Sequence, residues 1–425
     1  MYPNAQDALP LPPRANLEWY RKQAKDLLKA ARADDPQAVH DWTARLIGAI
    51  AEAVAEQPSQ RERDRRAGQI EEFVRARLAS TTSALSDAQF VVARTLGFAS
   101  WPRLVRHAEA MVKASPVSAF EAAADAIVSG DLDTLTRLLR EHPALARARS
   151  TREHHATLLH YVSANGVEDF RQRTPKNAPE IARTLLNAGA EVDAHADVYG
   201  GGATTLGLVA TSIHPEQAGV QLQLLDILLD HGARMEERSP AGNDHGIVEG
   251  CLANGQPAAA AYLASKGAAL NLEGAAGIGR LDAVQRFVDE DGTLRHATPQ
   301  QLHRGFALAC GYGHPDVVTY LLAAGVRPDE RLRLYGNGHT GLHLAAYHAH
   351  VEIARELLRR GASVSVTDET WGTTPLAWAL HGWSEDRTAP ADRYREVVRL
   401  LVGAGAEVTP EVTRILTRMN ADERG

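Results

Sequence analysis

The sequence predicts an all-α solenoid in which helix pairs stack side by side, preceded by a separate helical domain. The first observation is a sequence motif that recurs about every 33 residues, a spacing typical of repeated helix pairs. The second is the end of each unit, where a helix closing in Leu-Leu is followed by Gly-Ala. The third is composition: aromatic residues make up only 5% of the 425 residues, and alanine and leucine favour helix.

Bulk composition bounds the class of protein. Hydrophobic residues make up 44% and charged residues 23%, which is ordinary for a globular chain and argues against disorder. A length of 425 residues favours two or three domains. We expect an N-terminal helical domain at 1–114, repeats at 115–408 and a C-terminal helical cap or tail at 409–425.

The N-terminal segment contains helical patterns after an extended, proline-rich leader. Asn16 is a good N-cap for a first helix, and a second helix is expected after Pro36, with Trp42 in its core. The charged run at 58–68 is typical of a solvated helix face or a linker.

Two short helices are predicted within 86–112. Ser86 and Gln89 form a capping-box pattern, and Gly97 supplies the C-terminal stop. Ser100 then caps a second helix whose second residue is Pro102.

This helix pair resembles a DNA-binding helix-turn-helix in its spacing. However, Arg103 and Arg106 occupy positions where that motif needs apolar packing residues. We therefore expect a helical cap or a partner-docking domain.

Charge is unevenly distributed along the chain. Residues 1–114 contain 17 Lys and Arg against 14 Asp and Glu, whereas the rest contains 29 against 39. An acidic repeat region fits phosphate backbones poorly, so nucleic acid is not the expected partner.

The two cysteines and the N-terminal sequence indicate in which cellular compartment the protein is expected. Cys251 and Cys310 lie in apolar helical contexts and are expected to be buried free thiols. No signal-peptide pattern and no apolar stretch of about 20 residues is visible, so we expect a cytoplasmic protein without a membrane span.

One repeat shows the chemistry of all of them. In the stretch 340–364, Thr340 can cap the first helix, and small alanines let neighbouring first helices approach closely. Gly361 is expected in the left-handed conformation that ends the second helix. Equivalent glycines close five other repeats: Gly189, Gly232, Gly267, Gly325 and Gly405.

These residues resemble the ankyrin-repeat family. TGLHLAA (340–346), TTPLAWA (373–379) and TLLHYVS (157–163) are similar to its first-helix motif, and the resemblance covers about 118–408. We identify about eight repeats, with starts near 118, 152, 199, 242, 271, 301, 337 and 371. The N-terminal segment is similar to one that precedes ankyrin repeats in some bacterial proteins, a resemblance that carries no activity.

Three repeats have extra residues between their helices. The insertions lie around 167–177, 212–219 and 382–392. Two interpretations stay open. The insertions are tolerated variation in loop length, or two adjacent long loops form a wall beside the concave groove of the stacked repeats.

In this family, a hairpin-like segment called a finger joins each repeat to the next. The resemblance implies binding residues at the tips of these fingers and on the exposed side of the first helices. Carried over one position at a time, these are His154, His155, Tyr199, Asn243, His245, His303, Tyr312, Asn337, His339, Tyr347, His348, Trp371 and His381. By contrast, His160, His314 and His343 match the family's structural histidines, which bond to the backbone.

Three functions compete for the groove. The first is docking of a protein or peptide on its aromatic and polar groups. The second is a small-molecule or catalytic pocket, with His154, His155, His245 and His339 as general acids or bases. The third, a metal site, lacks an H-x-x-x-H pair or a cysteine cluster, so we expect neither a metal nor a cofactor.

Overall fold

The structure is a computed structural model that describes residues 7–11, 17–33, 35, 37–53, 59–78, 84–113, 115–235, 246–332 and 338–421. The chain divides into two compact units, Met1–Asp244 and His245–Gly425. This division falls inside the predicted repeat region, so the first unit contains both the N-terminal segment and the first repeats. The boundary predicted at residue 114 stays a prediction.

The described residues in the N-terminal part of unit 1 form five helices. They are α1 (Leu17–Ala31), α2 (Ala38–Ala53), α3 (Gln60–Leu78), α4 (Leu85–Thr95) and α5 (Trp101–Met111). Their shared core contains Tyr20, Trp42 and Ile70, all at most 2% exposed. The helix predicted after Pro36 is α2, with Trp42 in the core as expected. The proposed N-cap Asn16 lies outside the described residues.

The capping box predicted at Ser86 and Gln89 is wrong. Helix α4 begins earlier, with Ala84 as N-cap, and the Asp87 carboxylate accepts a hydrogen bond from the Ala84 N–H at 2.9 Å. An acidic side chain in the first turn satisfies a free backbone donor as well as glutamine does. The predicted stop at Gly97 is confirmed by its φ of +82°.

Three helix pairs follow in the part of unit 1 that the structure describes. The elements are α6 (Pro116–Ser129), α7 (Leu132–Glu141), α8 (Ala178–Asn187), β1 (His195–Ala196), β2 (Ala203–Thr204), α9 (Thr205–Thr211), α10 (Ile213–Gln217) and α11 (Gln221–Asp230). The first helix of the second pair is a 3₁₀ helix at Leu158–Ser163 that packs between α6 and α9. Strands β1 and β2 pair antiparallel and form one finger.

Side-chain bonds join the N-terminal helices to the first repeats within unit 1. Arg152 donates from Nη1 to the Leu96 carbonyl at 2.9 Å, and His107 Nδ1 lies 2.7 Å from the Thr151 hydroxyl. Arg94 also pairs with Glu153. The last turn of α4 is therefore tied to the finger that opens the second repeat.

The described residues of unit 2 form five helix pairs and a terminal helix. They are α12 (Ile247–Ala253), α13 (Pro257–Ser265), α14 (Leu272–Gly277), α15 (Leu281–Val284), α16 (Pro299–Tyr312), α17 (Pro315–Ala323), α18 (Gly341–Tyr347), α19 (Val351–Arg359), α20 (Pro375–His381), α21 (Ala391–Gly403) and α22 (Pro410–Ala421). Successive first helices α12, α14, α16, α18 and α20 contact each other and form what we call the inner row. Second helices α15, α17, α19 and α21 form an outer row.

The glycines predicted to end the second helices adopt the expected conformation. All six have φ between +86° and +100°: Gly189, Gly232, Gly267, Gly325, Gly361 and Gly405. A side chain in this region costs about 1–2 kcal/mol, so glycine is the residue that ends these helices without strain. The glycine at the end of each repeat motif is thus explained by the conformational preference of the local backbone.

Cys251 and Cys310 are buried and free, as expected. Within the described ranges, no helix has the length and apolar character needed to cross a bilayer.

Candidate functional site

Three histidines predicted to be structural do bond to the backbone. In the second repeat, His160 Nδ1 accepts from the Thr157 N–H at 3.1 Å, and its Nε2 donates to the Ala203 carbonyl at 3.3 Å. His343 repeats this arrangement with Thr340 and Thr373. His314 Nε2 donates to the Gly277 carbonyl at 3.0 Å. These contacts tie each repeat to a neighbour.

Four of the predicted binding residues come together in unit 2. Tyr347 and Trp371 lie against Trp378, and His348 and His381 lie against Tyr347; we call these five residues the aromatic surface. Ring centroids of Trp378 lie 5.8 Å from Tyr347 and 5.9 Å from Trp371, both edge-on. Tyr347 in turn lies 4.9 Å from His348 and 6.1 Å from His381. The side chain of Trp371 is 63% exposed, so a large apolar ring faces solvent here.

A buried carboxylate holds the aromatic surface in place. Asp368 Oδ1 accepts from the backbone N–H of Trp371 at 2.6 Å, and its Oδ2 accepts from the Trp378 indole at 3.2 Å and the Thr373 hydroxyl at 2.6 Å. Burial alone would raise the pKa of Asp368, but these hydrogen bonds hold that pKa well below its usual range. The finger is therefore fixed to helix α20 through an ionised side chain.

His339 lies behind this surface instead of on it. It is 2% exposed, its ring centroid is 5.4 Å from Trp378, and neither ring nitrogen has a hydrogen-bond partner among the described residues. Burial, with the nearby His343, lowers the pKa of His339 to about 4. Its predicted place at an exposed finger tip is wrong.

A cleft of about 470 Å³ lies beside the aromatic surface, at the C-terminal ends of the inner-row helices α16 and α18. Its walls include Leu308, Gly311, Tyr312, Leu344 and His348. Tyr312, a predicted binding residue, donates from its hydroxyl to the Leu252 carbonyl at 2.5 Å. His348 therefore belongs both to the cleft and to the aromatic surface.

In unit 1, the predicted residue His154 lies inside a buried ion cluster. It is 1% exposed, its Nδ1 accepts from the Ala156 N–H at 3.0 Å, and its Nε2 lies 3.5 Å from Glu168. Glu168 pairs with Arg152 at 2.5 Å and with Arg171 at 3.4 Å. The expected exposure of His154 is wrong because Glu168, from the insertion of the same repeat, folds against it.

The carboxylates of this ion cluster are ionised. Arg171 also pairs with Glu121 at 2.7 Å. Burial by itself raises the pKa of each carboxyl, but Arg171 and Arg152 hold the pKa of Glu121 below its usual range and that of Glu168 well below it. Two arginines thus balance two glutamates in the interior of unit 1.

The remaining predicted residues lie apart from these groups. In unit 1, His155 bonds to Asp197 at 2.7 Å, and Tyr199, 57% exposed, donates to Asn165 at 2.6 Å. In unit 2, His303 lies 3.8 Å from Glu330. Three others lie outside the described residues: Asn243, His245 and Asn337. Among the residues that the structure places, no group of three or more His, Cys, Asp or Glu side chains could hold a metal ion.

Comparison with known proteins agrees with this geometry. The family model for ankyrin repeats matches residues 306–411 in three copies, a range that contains α18–α21 and the aromatic surface. The chain is an ankyrin-repeat protein. Ankyrin repeats generally mediate protein–protein interaction.

Other comparisons add little about function. No curated protein matches this ankyrin-repeat chain. Among solved structures it is similar to the human ASB11 ankyrin repeat domain, with 18% identity, a TM-score of 0.33, and coverage of 68% of this chain and 99% of that one. A likeness at this level carries no argument about partners.

Sequence reasoning missed two residues of the site, Trp378 and Asp368. A signal for Trp378 existed, since it lies three residues before His381 on one helix and so shares its face. Asp368 and Thr373 have a turn-like spacing, but nothing local shows that this carboxylate also binds an indole.

The insertions of the ankyrin repeats also have specific roles. The one in repeat two contains Glu168 and Arg171, which turn inward to the ion cluster. The one in repeat eight forms a π-helical segment at Gly382–Asp386 and then places Thr388 at the cleft. Neither matches a simple surface loop.

Proposed function

We propose that this ankyrin-repeat protein binds a protein or peptide partner through the aromatic surface of unit 2. The observation that carries the proposal is the exposed indole of Trp371, which stands edge-on to Trp378 at 5.9 Å. Large aromatic side chains at the centre of a rigid patch are the residues that most often dominate binding energy.

Rigidity supports this proposal. The hydrogen bonds to Asp368 fix both the finger and the indole of Trp378, so a partner would meet a surface that is already ordered. Pre-organised side chains lose little conformational entropy on binding. An exposed tryptophan without such support would contribute less.

A catalytic role for the predicted histidines has less support. His154 in unit 1 is enclosed by the ion cluster, and His339 in unit 2 is buried against Trp378. A general acid or base must come within hydrogen-bonding distance of its substrate, and neither ring is open to one.

The test is peptide selection followed by affinity measurement. Peptides selected from a random displayed library on the full-length chain are synthesised with a fluorophore, and Kd is measured by anisotropy. We expect Trp371→Ala to weaken binding about tenfold or more, which corresponds to at least ~1.4 kcal/mol. Because this side chain is exposed, its loss should leave the melting temperature near that of the wild type.

The matched control is Val402→Ala, which truncates another exposed apolar side chain of unit 2 on helix α21. It should bind the selected peptides with the wild-type Kd. The proposal fails if the two variants bind equally well, or if no peptide is selected.

A further inference from the structure

We propose that the cleft at the ends of α16 and α18 is a binding site for an uncharged, mostly apolar small molecule with one hydrogen-bonding group directed at His348. The cleft shares His348 with the aromatic surface, but this proposal does not depend on peptide docking at Trp371. The volume of about 470 Å³ falls within the ~300–1,000 Å³ typical of pockets that hold drug-sized ligands.

The residues that line the cleft disfavour binding of a charged ligand. None of the ten residues that line it is Asp, Glu, Lys or Arg, and Pro257, Leu308 and Leu344 supply apolar surface. A charged ligand would lose its hydration there without gaining an ion pair, which is costly. An uncharged apolar molecule would lose little and would remove apolar wall from water.

His348 offers a polar group in the wall to a ligand. The backbone carbonyl of Gly311 accepts from His350 at 2.8 Å, and the Tyr312 hydroxyl donates to Leu252. The ring nitrogens of His348, by contrast, have no hydrogen-bond partner among the described residues. Burial, with the nearby His350, lowers the pKa of His348 to about 4, so at neutral pH it offers one donor and one acceptor without charge.

Gly311 keeps the cleft open. A Cβ added at this helical glycine would meet no heavy atom within 4 Å, and its φ lies outside the left-handed region. A larger side chain at this position therefore has room to enter the cleft without a backbone clash. It should also favour the helix, because glycine is a poor helix former.

The experiment titrates the full-length protein with prodan, an uncharged naphthalene ketone whose emission shifts to the blue in apolar sites. We expect one prodan to bind per chain, and Gly311→Leu to weaken that binding at least tenfold with an equal or higher melting temperature. His348→Phe, which keeps a ring but loses the hydrogen bond, should weaken binding about fivefold.

The matched control is Gly403→Leu. Gly403 is also a helical glycine with open space around it and an ordinary φ, but it does not line the cleft. This variant should bind prodan like the wild type, as should Trp371→Ala. A failure of peptide docking would leave these results unchanged, so the two proposals are tested apart.

Three outcomes would overturn the proposal. The first is no prodan binding by the wild type, and the second is equal affinity in Gly311→Leu and Gly403→Leu. The third is that anilinonaphthalene sulfonate, a naphthalene dye that carries a negatively charged sulfonate, binds the same site as tightly as prodan.

Discussion

Individual charged residues contribute very unequally to the free energy of unfolding, and the ion cluster of unit 1 shows why. Glu168 is fully buried and faces two arginines, whereas Glu396 is exposed and pairs with Arg355 at 2.6 Å. Removing one partner of a buried pair leaves an uncompensated charge, which costs far more than an exposed pair contributes.

We therefore expect Glu168→Gln to lower the free energy of unfolding by about 3–5 kcal/mol. The control, Glu396→Gln, should lower it by less than about 1 kcal/mol. Urea denaturation of both variants measures the difference, and equal losses would show that the cluster is well hydrated after all.

A second residue-scale prediction concerns pH. Burial lowers the pKa of His160 to about 4. The unfolded chain therefore takes up a proton below about pH 6.5, while the folded chain does not, so stability falls on acidification. Between about pH 7.5 and pH 5.5 this histidine should account for a loss of about 1 kcal/mol.

The check is the difference in unfolding free energy between the two pH values. His160→Gln removes the titrating ring, so its pH dependence should be smaller than that of the wild type by about that amount. An unchanged pH dependence would contradict the assignment, whatever the absolute stability of the variant.

Within a single element, the end of helix α21 contains one glycine with a helical backbone and one with a left-handed backbone. Gly403 has an ordinary helical φ and Gly405 a φ of +96°, and a Cβ at either position meets no atom within 4 Å. Steric contact is therefore the same at both sites, and only backbone conformation differs.

Gly405→Ala should be destabilising by about 1–2 kcal/mol, because a left-handed φ strains an alanine. Gly403→Ala should be stabilising by up to about 1 kcal/mol, because alanine favours the helix. Urea denaturation of unit 2 in the two variants gives the comparison, and the same sign of change in both would refute this account of the repeat ends.

At the scale of the whole molecule, the N-terminal segment and the first repeats belong to one compact unit. Arg152 links them, since it donates to the Leu96 carbonyl and pairs with Glu168. Helices α4 and α5 should therefore open together with the second repeat.

Hydrogen exchange tests this coupling. In Arg152→Met, the amides of α4 and α5 and those of 150–171 should lose protection together. Arg137→Met, which breaks an exposed pair with Glu141, should leave both segments protected. Loss of protection confined to 150–171 would mean that the N-terminal helices are stable by themselves.

Local sequence patterns were enough to predict the helix pairs, their glycine ends and the histidines that bond to the backbone. These depend on hydrogen bonds and φ preferences that span only a few residues, so a pattern such as that from Thr340 to Gly361 is enough to predict them. The sequence also placed Tyr347, His348, Trp371 and His381 among the binding candidates, from their positions within the repeat.

Which of these candidate residues lie together depends on long-range contacts in the folded chain. His154 and His339 occupy the same kind of position in the repeat as exposed residues, yet both are buried, because their neighbours come from elsewhere in the chain. Glu168 lies in an insertion whose sequence looks like any polar loop, and its burial depends on Arg152, which lies outside that insertion, as well as on Arg171 within it. Burial of a polar side chain is decided by distant partners, and a local pattern does not contain them.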